Sequence, residues 1–323
     1  MMKATAIAHP MQGLIKYHGL RNEKLRIPFH DSISVNIDKL WTKTTVEFGD
    51  YEQDKININE TEIYGLAKQR AIEVLNIIRK LSGIKLHAKI KSIDNISQFN
   101  AKGLGSSSSG GAALAAAAFK AARLDKEFGW DLKLISTIAR RLAGSACRSV
   151  IGEYSRWNSG TNNEDSYAYK IAKRKNLDIS ILIVPLYTKY VTDRAHKEVL
   201  TSSFFNTRIE NINERIKDME NAIKNGDLNK VGKLSELDSL ELHSVTMTGK
   251  NRHILFTPES IKVIKEVQKL REERIPAYFS MQTGPSVFID TYHEYSEEIE
   301  DRIKKMSLPV IKSKVGEGVK IIG

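Results

Sequence analysis

Two kinds of group in this chain could hold an anionic substrate: backbone donors laid bare by glycine and serine, and cations set beside aromatic or histidine side chains. The first kind is concentrated in Gly103-Leu104-Gly105-Ser106-Ser107-Ser108-Ser109-Gly110-Gly111, which runs directly into Ala112–Ala122. Glycine and serine let the backbone curl, and the good helix formers behind them start a helix whose first N–H groups have no internal partner. Such a start gathers donors and partial positive charge at one spot, a seat for a phosphate. No Gly-Lys-Ser/Thr follows, so this is not a Walker A loop. A flexible linker before a buried helix is the competing reading. The second kind occurs in Lys16-Tyr17-His18-Gly19, in Gly144-Ser145-Ala146-Cys147-Arg148-Ser149 and in Asp193-Arg194-Ala195-His196. Tyr278–Ser286 adds Gln282 and Thr283 ahead of Gly284-Pro285, while Asp31 and Asp165 sit in two further polar clusters. Taken singly these have plainer explanations: Arg148 as half of a surface ion pair, His18 as a satisfied core histidine.

The elements that must carry these groups follow from periodicity. Thr42–Phe48 and Lys55–Ile58 are β-branched and alternating, which predicts strands. Apolar residues at helical spacing predict a helix over Glu62–Leu81, and alternation predicts a strand over Gly83–Ile93 leading to the Gly/Ser loop. Beyond the Ala-rich helix, Leu132–Leu142 reads as a helix and Ile179–Val184, closed by Pro185, as a buried strand at a domain edge. Helices are expected over Asn206–Asn225, Asp227–Leu242 and Thr257–Arg274. Strands are expected over Ala277–Met281 and Ser286–Thr291, with Lys304–Ile322 closing their sheet. Two α+β domains fit this order, residues 1–184 with the phosphate loop and 185–323 behind it.

Bulk properties narrow the function. The 323 residues are 41% hydrophobic and 28% charged, enough for real cores under a polar surface. No apolar run is long enough to span a bilayer, and the opening Ala-Thr-Ala-Ile-Ala is too short for a signal peptide. One cysteine, Cys147, leaves no intramolecular disulfide framework and suits a reducing cytoplasm. The histidines show no zinc-ligand spacing, so no metal site is expected. The net charge of +11 is spread among acidic neighbours, as in Glu266–Arg274, and reads as solvated helix faces. With no recognition motif, neither nucleic acid nor membrane is expected as a partner.

Together, the motifs resemble the GHMP kinase superfamily, and within it the mevalonate-pathway decarboxylases. Lys16-Tyr17-His18-Gly19 is similar to that family's Ile-Lys-Tyr-Trp-Gly motif. Gly103–Leu114 resembles its phosphate loop, Gly144–Ser149 its Gly-Ser-Ala-Cys-Arg-Ser motif, and Met281–Ser286 its Asp-Ala-Gly-Pro-Asn loop. The resemblance covers almost the whole chain. It implies an α+β GHMP-kinase fold, a ribosomal protein S5 domain 2-like N-terminal domain and a ferredoxin-like C-terminal domain with the active-site cleft between them. It also implies a homodimer acting on a small phosphorylated mevalonate. The wording around His9-Pro10, Tyr17-His18-Gly19 and Asp193–His196 looks most like the archaeal phosphomevalonate decarboxylases.

Three departures from the family pattern refine the expectation. Leu20 replaces a lysine that would meet a 5-diphosphate, and Ala143 replaces a serine. Two lost contacts suit a 5-monophosphate. Gln282 stands where the family has its catalytic aspartate, and glutamine accepts no proton at working pH. Elimination of an installed 3-phosphate with loss of carbon dioxide removes no proton from the substrate. The expected activity is therefore ATP-independent decarboxylation of mevalonate 3,5-bisphosphate, with no cofactor. The alternatives are an ATP- and magnesium-dependent phosphomevalonate or diphosphomevalonate decarboxylase, a 3-kinase and a non-catalytic binding homologue. The family pattern then assigns roles. Lys16 stabilises the leaving phosphate, and Arg148, Ser145 and Tyr17 hold the 5-phosphate, with His18 beside them. Arg194 and His196 orient the carboxylate or a phosphate, while Gln282 and Thr283 line the reacting end. The loop Gly103, Gly105, Ser106, Ser107, Ser108, Ser109 and Gly110 holds the 3-phosphate or a nucleotide. Asp31, Asp165 and Asp193 are the carboxylates available to assist. Cys147 is read as a packing residue.

Overall fold

A computed structural model describes residues 2–188, 196 and 198–323. Thr42–Gly49 and His87–Asp94 alternate buried with more exposed side chains, as antiparallel strands covered on one face do. They pair with Val46 opposite Ile90. Met2–Ala8 flanks Thr42–Gly49, and Lys55–Ile58 runs parallel to His87–Asp94 in a six-stranded sheet. Its inner face presents Ala4, Ala6, Val46, Phe48 and Ile90 to the helix Ser106–Ala121. That helix is wrapped on its other sides by Gly65–Ser82, Leu132–Leu142 and Ala146–Ile151. The alanine run is explained by this position, since a helix enclosed all round needs small side chains on every face.

Met11–Ile15, Ser32–Asn36, Tyr154–Trp157 and Ala168–Ala172 form a second sheet. The third has the order Ala277–Met281, Val287–Thr291, Ser180–Val184, Ile311–Lys314, all antiparallel. Ser180–Val184 is an unbroken apolar run because both its faces are covered. Ile181 and Ile183 meet Leu14, Ile15, Ile212 and Ile216, while Leu182 and Val184 meet Val263, Val267, Ile299 and Ile303. The third sheet thus carries helices Phe205–Lys224 and Leu228–Met247 on one side and Pro258–Glu272 and Ser296–Lys305 on the other.

Two sequence expectations change here. Ser180–Val184, read as the end of the domain 1–184, is bonded on both edges to strands from beyond residue 286. We therefore place the division before Ser180. Lys304–Ile322 closes the third sheet only through its middle. A helix runs to Lys305, Ile311–Lys314 joins the third sheet, and Lys320–Ile321 crosses back to pair with Met2–Ala8 in the first. The amphipathic spacing of Ile299 and Ile303 marks that helix, but it straddles the start assumed for the strand.

The returning segment passes so close to Gly152 that an added Cβ would lie 1.9 Å from the Gly318 nitrogen. Gly152 also holds φ at +75°, in the left-handed region. Gly152→Ala is accordingly expected to lower stability by about 2–3 kcal/mol, read from chemical denaturation.

Candidate active site

A cavity of about 330 Å³ is lined by Met11, Lys16 and Tyr17, by the Gly/Ser loop and the start of its helix, and by Gln282 and Thr283 just beyond the strand Ala277–Met281. Lys16 is on its wall, one residue beyond the strand Met11–Ile15, and only 3% exposed. Its Nζ donates to Ser239 Oγ at 2.8 Å and lies 3.6 Å from Asp238 Oδ2. Burial lowers the Lys16 pKa to about 8, with Asp238 opposing the fall. Gln282 lies beside it. A Cβ on Gly13 would sit 2.9 Å from both Gln282 Oε1 and Lys16 Cγ, so the bare glycine makes room for the two side chains. Thr283 completes this end of the wall.

Arg148 reaches the cavity from the short helix Ala146–Ile151. It is 1% exposed, and its Nε and Nη1 have no hydrogen-bond partner among the described residues. Its guanidinium lies over the rings of Tyr17 and Trp157, at 5.7 and 5.9 Å from their centroids. Burial pulls its pKa below the ordinary arginine value. A buried guanidinium with free donors is unfavourable alone and well suited to an anion with several oxygens. Tyr17 stacks on His196 at 4.8 Å, and both, with Ser145, line the same wall.

The Gly/Ser loop forms the opposite rim. Gly105 adopts φ of +80° just ahead of the helix Ser106–Ala121, turning the chain so that the helix start faces the cavity. The Gly105 carbonyl accepts from the N–H groups of Ser108 and Ser109, at 2.9 and 3.2 Å. The N–H groups of Ser106 and Ser107, on exposed residues at the head of the helix, have no main-chain partner among the described residues. Among the described residues the wall carries five cations, Lys16, Arg26, Arg70, Lys102 and Arg148, and no carboxylate.

Comparison with known proteins places this architecture. Residues 8–168 match the family described as diphosphomevalonate decarboxylase-like N-terminal domain, and residues 180–320 match the mevalonate 5-diphosphate decarboxylase C-terminal domain. The phosphomevalonate decarboxylase of Haloferax volcanii is 40% identical over 306 residues, 94% of this chain and 92% of the relative. The chain belongs to the mevalonate-pathway decarboxylases. The mevalonate 3,5-bisphosphate decarboxylase of Thermoplasma acidophilum is 27% identical, covering 92% of this chain and 73% of that protein. The crystal structure of mevalonate diphosphate decarboxylase from Staphylococcus aureus superposes with a TM-score of 0.92 at 30% identity, over 99% of this chain and 98% of that one. This decarboxylase is therefore a carboxy-lyase with the α+β, GHMP-type fold expected from its motifs.

Within the decarboxylase fold, the residues singled out in the sequence separate into two groups. Lys16, Tyr17, Ser145, Arg148, His196, Gln282, Thr283, Gly103, Gly105 and Ser106–Ser108 share the cavity wall. His18 does not. Its ring is fully buried behind the wall, bonds Thr246 Oγ1 at 2.9 Å and meets His196 edge-on. Burial holds its pKa well below the ordinary histidine value, so it is a neutral packing partner. Ser109 turns inward to Thr42 at 2.7 Å, and Gly110 lies off the wall. Asp31 is engaged by Arg156 and by the N–H and hydroxyl of Ser159, at 2.7–2.8 Å. Asp165 accepts from the N–H groups of Thr161 and Asn162 in its own loop. Neither carboxylate lines the cavity: Asp31 ties the strand end at Arg156 and Ser159, and Asp165 shapes its own loop. Asp193 and Arg194 lie outside the described residues. Cys147 packs inside, its thiol pushed up to about 12 by burial.

Sequence reasoning missed Arg26, Arg70 and Lys102 on the wall, and Asp238 and Ser239 behind Lys16. The first three belong to no motif. The last two lie on a buried polar stripe, Ser235, Asp238, Ser239, His243 and Thr246, whose helical spacing is visible in the sequence.

Proposed function

We propose that this decarboxylase converts mevalonate 3,5-bisphosphate to isopentenyl phosphate, carbon dioxide and phosphate without a nucleotide. The observation that carries the reading is the wall itself. Its described residues include five cations and no carboxylate, and by the motif resemblance Gln282 stands where the family has its aspartate. In the elimination, the C–C bond to the carboxylate breaks, its electron pair becomes the new double bond, and the C3–O bond breaks as phosphate leaves. No proton is taken from the substrate, so no base is needed. What the step requires is fixed orientation and positive charge around the departing phosphate. Lys16 supplies the charge at the end where Gln282 and Thr283 lie. Arg148, Tyr17 and Ser145 hold the 5-phosphate, with Arg26 and Arg70 adding charge nearby. The helix start at Ser106–Ser107 holds the 3-phosphate.

A second reading, ATP-dependent decarboxylation of mevalonate 5-phosphate, is favoured by one observation. The loop from Gly103 to Ser108 keeps its donors open to the cavity, which a nucleotide's phosphates also fit. Its Ser106 and Ser107 hydroxyls and Lys102 could hold a magnesium–nucleotide, which would supply the phosphoryl group; the Haloferax relative bears a name of this substrate class.

The deciding assay is incubation with mevalonate 3,5-bisphosphate in nucleotide-free buffer. Isopentenyl phosphate and free phosphate in equal amounts are the expected products. Absence of product there, with turnover of mevalonate 5-phosphate plus ATP and magnesium, would replace the first reading by the second.

A further inference from the structure

Lys16 stands where the sheet hydrogen bonds of Met11–Ile15 have stopped, so its own peptide groups need other partners. Both are side chains from the second half of the molecule. Its N–H donates to Asp238 Oδ2 at 2.9 Å, and its carbonyl accepts from Arg208 Nη2 at 2.8 Å. Arg208 Nη2 also donates to Asp238 Oδ1 at 2.7 Å, closing a ring of contacts around one residue. The ammonium is fixed in the same place. It lies 3.6 Å from Asp238 Oδ2 and donates to Ser239 Oγ, which also accepts the Met281 N–H at 3.1 Å. Asp238 and Arg208 are buried, and neither lines the cavity.

We propose that Asp238 is the positioning residue of Lys16, gripping its main chain and its ammonium at once, with Arg208 and Ser239 as the other members of the clamp. The inference rests on the role given to Lys16 in the proposed function. An ammonium on a four-carbon stem would otherwise follow the departing phosphate, and holding it still removes reorganisation from the chemical step. Asp238 acts through Lys16, since it touches no part of the cavity. The described titratable groups facing the ammonium are Asp238 and neutral His243 from Leu228–Met247, Arg208 from Phe205–Lys224 and Asp290 from Val287–Thr291. Asp238 is the strongest of them in keeping Lys16 protonated, and Arg208 opposes it.

The test uses Asp238→Asn and Ser239→Ala in the full chain. They are assayed on whichever the wild type turns over, mevalonate 3,5-bisphosphate alone or mevalonate 5-phosphate with ATP and magnesium. Asp238→Asn is expected to lower kcat by about 100-fold with KM within about threefold, and to move the alkaline limb of kcat to lower pH by about one unit. Ser239→Ala should lower kcat by about tenfold and leave the limb in place. A lysine side-chain NMR titration should register the same downward shift of Lys16 in Asp238→Asn without any turnover. A folded Asp238→Asn with wild-type kcat, or with an unmoved Lys16 titration, overturns the proposal. Should that variant not fold, a wild-type kcat in Ser239→Ala overturns it. Lys16→Ala separates the two ideas: if it keeps turnover, the role of Lys16 itself fails, whereas its loss beside an intact Asp238→Asn removes only the clamp.

Discussion

Lys16→Ala is expected to lower kcat by about a thousandfold while substrate affinity changes by less than about tenfold. The ammonium sits at the Gln282 end of the cavity, and Ser239 and Asp238 hold it there. An interaction already in place before substrate arrives contributes most where charge develops, on the departing phosphate, and little to the ground state. Single-turnover assays and calorimetric titration with mevalonate 3,5-bisphosphate separate the two effects. The proton on Lys16 gives a second signature. Burial brings its pKa down to about 8, so the cation is present below that pH and is lost as pH rises through it. The rate should therefore fall above about pH 8, in a buffer series at fixed ionic strength. A variant that binds poorly but reacts normally once saturated would assign Lys16 to binding instead.

Arg148→Met should act in the opposite sense on affinity and on stability. Its guanidinium is buried over the faces of Tyr17 and Trp157, with Nε and Nη1 unpaired among the described residues. Removing it takes away the fork that meets the 5-phosphate, and KM is expected to rise by about 100-fold or more. The same change relieves a charge kept out of water without a partner, so the ligand-free protein should gain about 1–2 kcal/mol of stability. Thermal unfolding with and without substrate is the check. The wild type should be strongly stabilised by ligand, and the variant should start higher and gain almost nothing. A variant that melts below the wild type would show that Arg148 is paid for by packing on Tyr17 and Trp157 rather than by its ligand.

Much of the architecture could be read from periodicity. Leu132–Leu142 and Ala277–Met281 have the same ends in the sequence reading and in the structure, because each is bounded by a clear change of period. The alanine run predicted a helix, and its enclosure on all sides emerged only from the packing. What periodicity cannot give is a strand's partner. Ser180–Val184 looks the same whichever sheet takes it, and only the pairing with Val287–Thr291 and Ile311–Lys314 decides. At the site, most of the motif residues line one cavity, because their spacing is local. Asp238 was not legible, since a carboxylate on a buried helix face and one on a solvated face are written identically in sequence. Asp31 and Asp165 erred in the other direction: both are prominent in motifs and both are used up by neighbouring loops. His18, similarly, stands in a motif yet bonds Thr246 behind the wall.

The grip on Lys16 has a bearing on how the molecule comes to life. Asp238 is 222 positions further along the chain, so the reactive ammonium acquires its setting only when helices made late in synthesis have docked onto strands made early. Until then the lysine is an ordinary solvated side chain. Competence for chemistry thus arrives at the end of assembly, and a half-assembled chain is silent toward its substrate.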